Sequence, residues 1–390
     1  MRSYMDADDR WEGAALALVD GIGPQALRSL RDAFGSWHEA WRAGPKGWAS
    51  WLLASDRWPR LEDWWRKAMA EDLPGQLRRC CRRLDIALLT ERDAAYPGQL
   101  RQLERAAPTL LFARGQLEVL AQPCITVVGT RRATPYGLAT AARIARELVE
   151  AGVAVVSGLA FGIDAAAHAA CLEAGGATIA VLAAGVERAL PASQDHLYRR
   201  MLAAGGLIVS EYPPGTRPSA GRFPARNRIL AGLGAATIVV EAPAASGALI
   251  TARFAADWGR PVFAVTAPPT ALASRGCLEL IQDGAAPFLD TDEVLRQARL
   301  ATRRRDSPTQ ARADDDALRL TPLERVVYSW LDVAQATSID AIIAGSGLPP
   351  AAVTAAVARL EVRGLCVRSG SSVLATVPPG GPPRRGPGCA

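Results

Sequence analysis

Phe223-Pro224-Ala225-Arg226-Asn227-Arg228 places an aromatic ring and two guanidinium groups in one short stretch, just before the helical run Ile229-Leu230-Ala231-Gly232-Leu233. Arginines along a phosphate backbone and aromatic faces under the bases are what single-stranded nucleic acid needs, each stacked base contributing ~1–3 kcal/mol. The competing use of the same residues is a core position for Phe223 and ion pairs from the arginines to Glu241 or Asp257. A second group, Gly129-Thr130-Arg131-Arg132, follows a β-branched run and precedes a helix starting near Pro135. There glycine lets the backbone approach an anion, threonine supplies a hydroxyl, and an arginine can fork two hydrogen bonds onto phosphate, or onto a carboxylate elsewhere on the surface. Ser157-Gly158-Leu159-Ala160-Phe161-Gly162, Ala183-Ala184-Gly185-Val186 and Glu241 through Ser246-Gly247 are three more turns of the same kind. If the strands before them are parallel, all four turns meet at one sheet edge, where helix N-termini favour phosphate.

Other chemistry is largely excluded. Lys46 and Lys67 are the only lysines, so neither a P-loop lysine nor a Schiff-base lysine exists in the strand-and-turn region. The G-x-S-x-G elbow and the G-x-G-x-x-G dinucleotide fingerprint are missing. Asp164 reads as a helix N-cap with His168 one turn later, a pair that could serve acid–base or metal chemistry but has no third partner in sequence. Seven scattered cysteines and three histidines predict free thiols, no metal and no cofactor. One enzymatic reading stays open, a nucleotide-binding or nucleoside-monophosphate-hydrolysing protein with Glu241 as its acid.

These groups need a scaffold, and the chain supplies an alternating one. Ile125–Val128, Val153–Val156, Thr178–Leu182, Leu207–Val209, Thr237–Val240 and Val262–Val265 read as strands, most of them separated by alanine-rich helices, which predicts an α/β doubly wound parallel sheet. Before it, residues 1–80 read as a small helical domain. Eight of the chain's ten tryptophans precede residue 66, and Gly21-Ile22-Gly23-Pro24 matches a helix-hairpin-helix turn. That turn could present backbone amides to DNA, and the tryptophans could equally fill a thin core. Arg78-Arg79-Cys80-Cys81-Arg82-Arg83 is either a solvated helix face or an anion contact. The sheet domain spans 81–300, a charged linker 301–319, a winged helix 320–376 and a tail without core residues 377–390. In the winged helix Thr321 and Pro322 open the first helix, and Arg359 is the one base-reading candidate on Ala351–Leu360, which favours protein contact there over duplex reading. Net charge is +6, almost all arginine, compatible with a nucleic-acid partner but not diagnostic. No apolar run approaches the length of a membrane span, and the first ten residues lack a signal-peptide core, so the expected location is the cytoplasm.

Taken together, Val127 to Arg132, Ser157-Gly158-Leu159 with Gly162 to His168, Ser210-Glu211-Tyr212-Pro213-Pro214-Gly215, Phe223 to Leu233 and Ser246 to Thr251 resemble the DNA-processing protein A family (DprA, also called Smf). The resemblance runs over roughly residues 10–375. It implies an extended Rossmann-like sheet with a helical N-terminal domain of the SAM or helix-hairpin-helix kind and a C-terminal winged helix. It also implies a non-enzymatic mediator that binds single-stranded DNA, forms homodimers, helps load RecA during natural transformation, and could meet single-stranded DNA-binding protein. By the same resemblance Arg131 is the arginine of the first phosphate turn and Phe223 stacks on a base. The DNA-binding set is then Gly129, Thr130, Arg131, Arg132, Ser157, Gly158, Phe223, Arg226, Asn227, Arg228, Ser246 and Gly247. The sequence departs from the family at Phe161 and Ala220, where the pattern has basic residues; Arg217 or Arg222 could restore the second charge.

Overall fold

Short, wholly apolar strands can only be buried on both faces, and that is how this chain uses them. The computed structural model describes residues 9–19, 21–48, 58–189, 191–300, 320–331, 336–363 and 365–375. The expected linker and tail therefore lie outside the described residues. Two compact units divide the chain, Met1–Arg303 and Arg304–Ala390.

In the first unit, nine strands form one sheet among the described residues: β1 (Ile86–Thr90), β2 (Leu110–Gly115), β3 (Cys124–Val128), β4 (Ala154–Ser157), β5 (Thr178–Val181), β6 (Leu207–Ser210), β7 (Thr237–Val239), β8 (Val262–Val265) and β9 (Ala286–Phe288). Their spatial order is β1-β2-β6-β5-β4-β3-β7-β8-β9. All neighbours run parallel except β2, which is antiparallel to both β1 and β6. The sheet is thus mixed at one edge rather than purely parallel. β3 is followed outward on one side by β4, β5 and β6 and on the other by β7, β8 and β9, so the winding reverses between β3 and β7. In open α/β sheets that reversal opens a crevice beyond the strand ends.

The N-terminal helices Arg10–Leu16, Pro24–Phe34, Trp37–Trp48, Trp58–Ala70 and Leu73–Arg83 lie against the β1–β2–β6–β5 side of this sheet. Trp37, Trp41 and Trp48 are buried, and the Trp37 and Trp48 indoles donate to the carbonyls of Leu27 (3.1 Å) and Ala40 (2.6 Å). The tryptophans are core, and the core is continuous with Leu88, Phe112, Leu182, Tyr198 and Ile208 of the sheet face. Polar ties reinforce it: Arg10 donates to Leu88 O (2.7 Å) and Asp93 (3.0 Å), and Thr109 Oγ1 donates to Pro24 O (3.1 Å). In the glycine turn Ile22 is buried and Gly23 caps the Pro24–Phe34 helix. Arg78, Arg79, Arg82 and Arg83 are all exposed, with Arg79 paired to Asp72 at 3.3 Å, as a solvated helix face would be.

The second unit is a winged helix built on its own core of Leu320, Val327, Tyr328, Ile342, Val353, Val357 and Leu360. Helices Pro322–Tyr328, Ile339–Ser346 and Pro350–Val362 accompany a small sheet of Thr337–Ser338, Ser372–Ala375 and Cys366–Ser369. Thr321 and Glu324 form a reciprocal capping box on the first helix. Glu324 also takes Arg359 at 2.8 Å and Arg363 at 3.4 Å. The base-reading candidate Arg359 is therefore engaged within its own unit.

Candidate nucleic-acid interface

The reversal between β3 and β7 carries a cleft of about 350 Å³, lined by the turn after β3, the turn before the Gly247–Asp257 helix, and the first turns of the Arg222–Leu233 helix. Gly129, Thr130, Arg131, Arg132, Phe223, Arg226, Asn227, Ser246 and Gly247 line it. Ser157, Gly158 and Arg228 do not. The β4 turn reaches the cleft through Ala160, so three of the four turns meet there. The β5 turn is the exception, because β5 lies two strands from β3 and the Gly185 amide is taken by Thr216 O at 3.2 Å.

The β3 turn is fastened from both sides. Thr130 N donates to Glu241 O (2.6 Å), Thr130 O accepts from Ile163 N (3.2 Å), and the Thr130 hydroxyl takes the Arg132 amide (3.2 Å). Gly162, at φ +72°, passes so close to the carbonyls of Thr130 and Arg131 that an added Cβ would sit 2.3 Å from the first. Only glycine allows that approach. These bonds hold Arg131 and Arg132 at the surface, both exposed. The Arg131 guanidinium lies over the Phe223 ring, 5.4 Å from its centroid. Two residues far apart in sequence, each singled out for its chemistry, thus meet at one rim.

The Arg226-Asn227-Arg228 block behaves differently, because it lies inside the helix rather than before it: the helix starts at Arg222. Residues two apart on a helix point about 200° away from each other. Arg226 therefore turns inward, donating to the carbonyls of Val181 and Gly158. Burial pulls its guanidinium down to about 10, which leaves it charged at neutral pH. Asn227 staples the helix to its neighbour, donating to Gly247 O at 3.0 Å. Arg228 turns to the other side and grips Glu211 through two bonds, 2.7 and 2.6 Å, with a third to Ala106 O at 2.9 Å. Burial alone would lower the Arg228 pKa, but the Glu211 carboxylate outweighs it and holds the group above its ordinary value. The carboxylates expected to compete for these arginines were Glu241 and Asp257; the partner of Arg228 is Glu211, and Arg226 faces Asp164 across Gly158.

Ser157 and Gly158 have structural tasks as well. Ser157 Oγ donates to Val127 O at 2.7 Å, and Gly158 N donates to Asp164 at 3.1 Å. Asp164 is not the N-cap: Gly162 holds that place, and the Asp164 carboxylate, one residue inside the helix, folds back on the Gly158 and Ala160 amides. Burial pushes its carboxyl above the ordinary range against the pull of Arg226. His168 faces Thr178 rather than Asp164, Nδ1 lying 2.7 Å from Oγ1. Glu241 is buried and accepts the Thr134 amide (2.8 Å) and hydroxyl (2.9 Å), fixing the N-cap of the Pro135–Glu150 helix. Among the described residues no group of three or more His, Cys, Asp or Glu is placed to hold a metal, and no helix is long and apolar enough to cross a membrane. The six described cysteines are free, and burial raises the thiols of Cys81, Cys124, Cys171 and Cys277 to about 12.

Sequence reading missed the floor of the cleft. Leu230, Ile250 and Thr251 line it, and the Thr251 hydroxyl is buried without a partner among the described residues. Helical spacing could have found two of them, since Leu230 lies one turn after Arg226 and Thr251 one turn after Gly247. Of the two arginines that could replace the missing charge at Ala220, Arg222 is spent over the Tyr212 ring (5.1 Å), and Arg217 is exposed.

Residues 87–299 match the family model of the DNA recombination-mediator protein A, and residues 308–370 match the DprA winged helix domain. Among curated relatives, Protein Smf of Synechocystis is 37% identical over 297 residues, covering 72% of this chain and 70% of that protein. A putative DNA processing protein DprA of Mycobacterium tuberculosis is 44% identical over 262 residues, 66% of each chain. The solved structure of DNA processing protein A from Streptococcus pneumoniae superimposes with a TM-score of 0.59 at 32% identity, covering 73% of this chain and 95% of that one. With the first match alone taking in more than half of its length, this chain belongs to the DNA recombination-mediator protein A family.

Proposed function

We propose that this protein binds single-stranded DNA in the cleft at the β3/β7 reversal and acts there as a recombination mediator without a chemical step of its own. The observation that carries the reading is the pairing of exposed Arg131 with the Phe223 ring at 5.4 Å on the cleft rim. A phosphate held by the guanidinium brings its base within reach of the phenyl face. Sequence tolerance follows, because every base offers a π-face and the backbone charge is uniform. Family membership supports the wider role: a homodimeric cytoplasmic protein that protects incoming DNA during natural transformation, hands it to RecA, and meets single-stranded DNA-binding protein on the same strand.

The test is a titration of labelled oligonucleotide, single-stranded against duplex, at matched salt. Tighter binding of the single strand is expected. Phe223→Ala should weaken it by about 5- to 100-fold, corresponding to the loss of one stacked base, with the salt dependence unchanged. Arg131→Ala should also weaken binding and lower the salt slope by roughly 0.7, the value for one phosphate contact on a single strand. Unchanged affinity in both variants would remove the cleft as the DNA path.

A further inference from the structure

Phe161 is the one large apolar side chain of the three cleft-forming turns that stands bare. The residue is 45% exposed, whereas Leu159, two positions before it, is fully buried. Bare apolar groups on loops are common and by themselves mean little. Three features separate this one. First, the loop that carries it is fixed: Gly162 is wedged against the Thr130 and Arg131 carbonyls, Gln194 Nε2 donates to Ala160 O at 3.1 Å, and Asp164 holds the amides of Gly158 and Ala160. Second, its two chain neighbours tie it to the site: Ala160 lines the cleft, and Gly162 abuts the backbone of Arg131, whose guanidinium covers Phe223. Third, among the described residues no aromatic ring or guanidinium stacks on Phe161. An exposed, unstacked apolar ring on a fixed loop, one residue from the cleft lining, has the properties of a base platform: the loop loses little conformational entropy when a base covers the ring, and apolar area leaves water when it does.

We propose that Phe161 is a second stacking platform at the mouth of the cleft, taking a nucleobase of the bound single strand next to the turn that carries Arg131. The inference rests on the single-strand reading above. At this position the protein contacts the base rather than the backbone, so binding gains affinity that salt does not screen.

Phe161→Ala is expected to weaken binding of an oligo-dT by about 5-fold or more, the range of one stacked base, without changing the salt slope. Phe161→Trp should hold the affinity and report contact through quenching of the added indole, and Phe161→Leu, apolar but without a π-face, should restore little. The decisive comparison uses an oligonucleotide of equal length carrying abasic sites, on which Phe161→Ala and the unsubstituted protein should bind alike. Equal loss on both oligonucleotides would make Phe161 a backbone contact or a loop prop, and no loss on oligo-dT would remove it from the path; either overturns the proposal. Phe223→Ala and Arg131→Ala run alongside separate the two levels. If they weaken binding and Phe161→Ala does not, the cleft reading stands and this one falls; if none of the three does, both fall.

Discussion

Arg228→Ala is expected to lower the stability of the first unit by about 3–5 kcal/mol, the range for breaking one side of a buried ion pair. The pair with Glu211 is bidentate, and the two side chains are only 11% and 3% exposed. Removing the guanidinium strands a carboxylate away from water and also frees the Ala106 carbonyl. A clear fall in the thermal midpoint should accompany it, and Glu211→Ala should behave alike. Arg228→Met combined with Glu211→Leu should recover much of the loss, because replacing both charges with packed apolar groups removes the desolvation cost together with the attraction. The alternative, in which Arg228 leaves Glu211 to bind phosphate, makes the opposite forecast: affinity for DNA would drop while the midpoint held.

The second large effect is a loss of stability in acid traceable to His168. Thr178 Oγ1 donates its one proton to Val155 O (2.8 Å), so the 2.7 Å contact with His168 Nδ1 requires the proton on the imidazole. Nε2 is then the bare nitrogen, buried and without a partner among the described residues. Burial, helped by the charge of Arg226, pushes the imidazole down to about 3 from an ordinary 6.5. The unfolded chain therefore takes up a proton below pH 6.5 that the folded chain refuses. Stability from this residue is complete above pH 6.5 and falls by about 1.4 kcal/mol per pH unit as the pH drops toward 3. His168→Gln should flatten that part of the stability profile measured by urea unfolding between pH 4 and pH 7. Parallel profiles for the two proteins would show that the imidazole does not carry the effect.

Much of this architecture was legible because it depends on local pattern. Val262–Val265 and the run ending at Val128 announce themselves by composition, and the Thr321 cap by its neighbours. β2 is not legible in the same way: its antiparallel pairing with β1 and β6 depends on partners that sequence does not display. At the cleft, Arg131 and Phe223 stand on the rim, whereas Arg226 is drawn into the interior and Arg228 into an ion pair away from it. Placing the start of their helix at Arg222 rather than after Arg228 changes which way every side chain points, and a boundary error of a few residues is enough to turn a surface cation into a core one. Asp164 shows the same sensitivity at two residues' displacement from the cap.

The continuity of the tryptophan core with the sheet has a bearing on how such chains can be reshuffled. Leu88, Phe112 and Ile208 are completed by residues from before position 82, whereas the winged helix closes over side chains of its own. Exchange between relatives can therefore pass a winged helix from one chain to another intact. The helical layer has no such independence: it must be inherited together with the strands it covers, and substitutions on either side of that seam must be matched by the other.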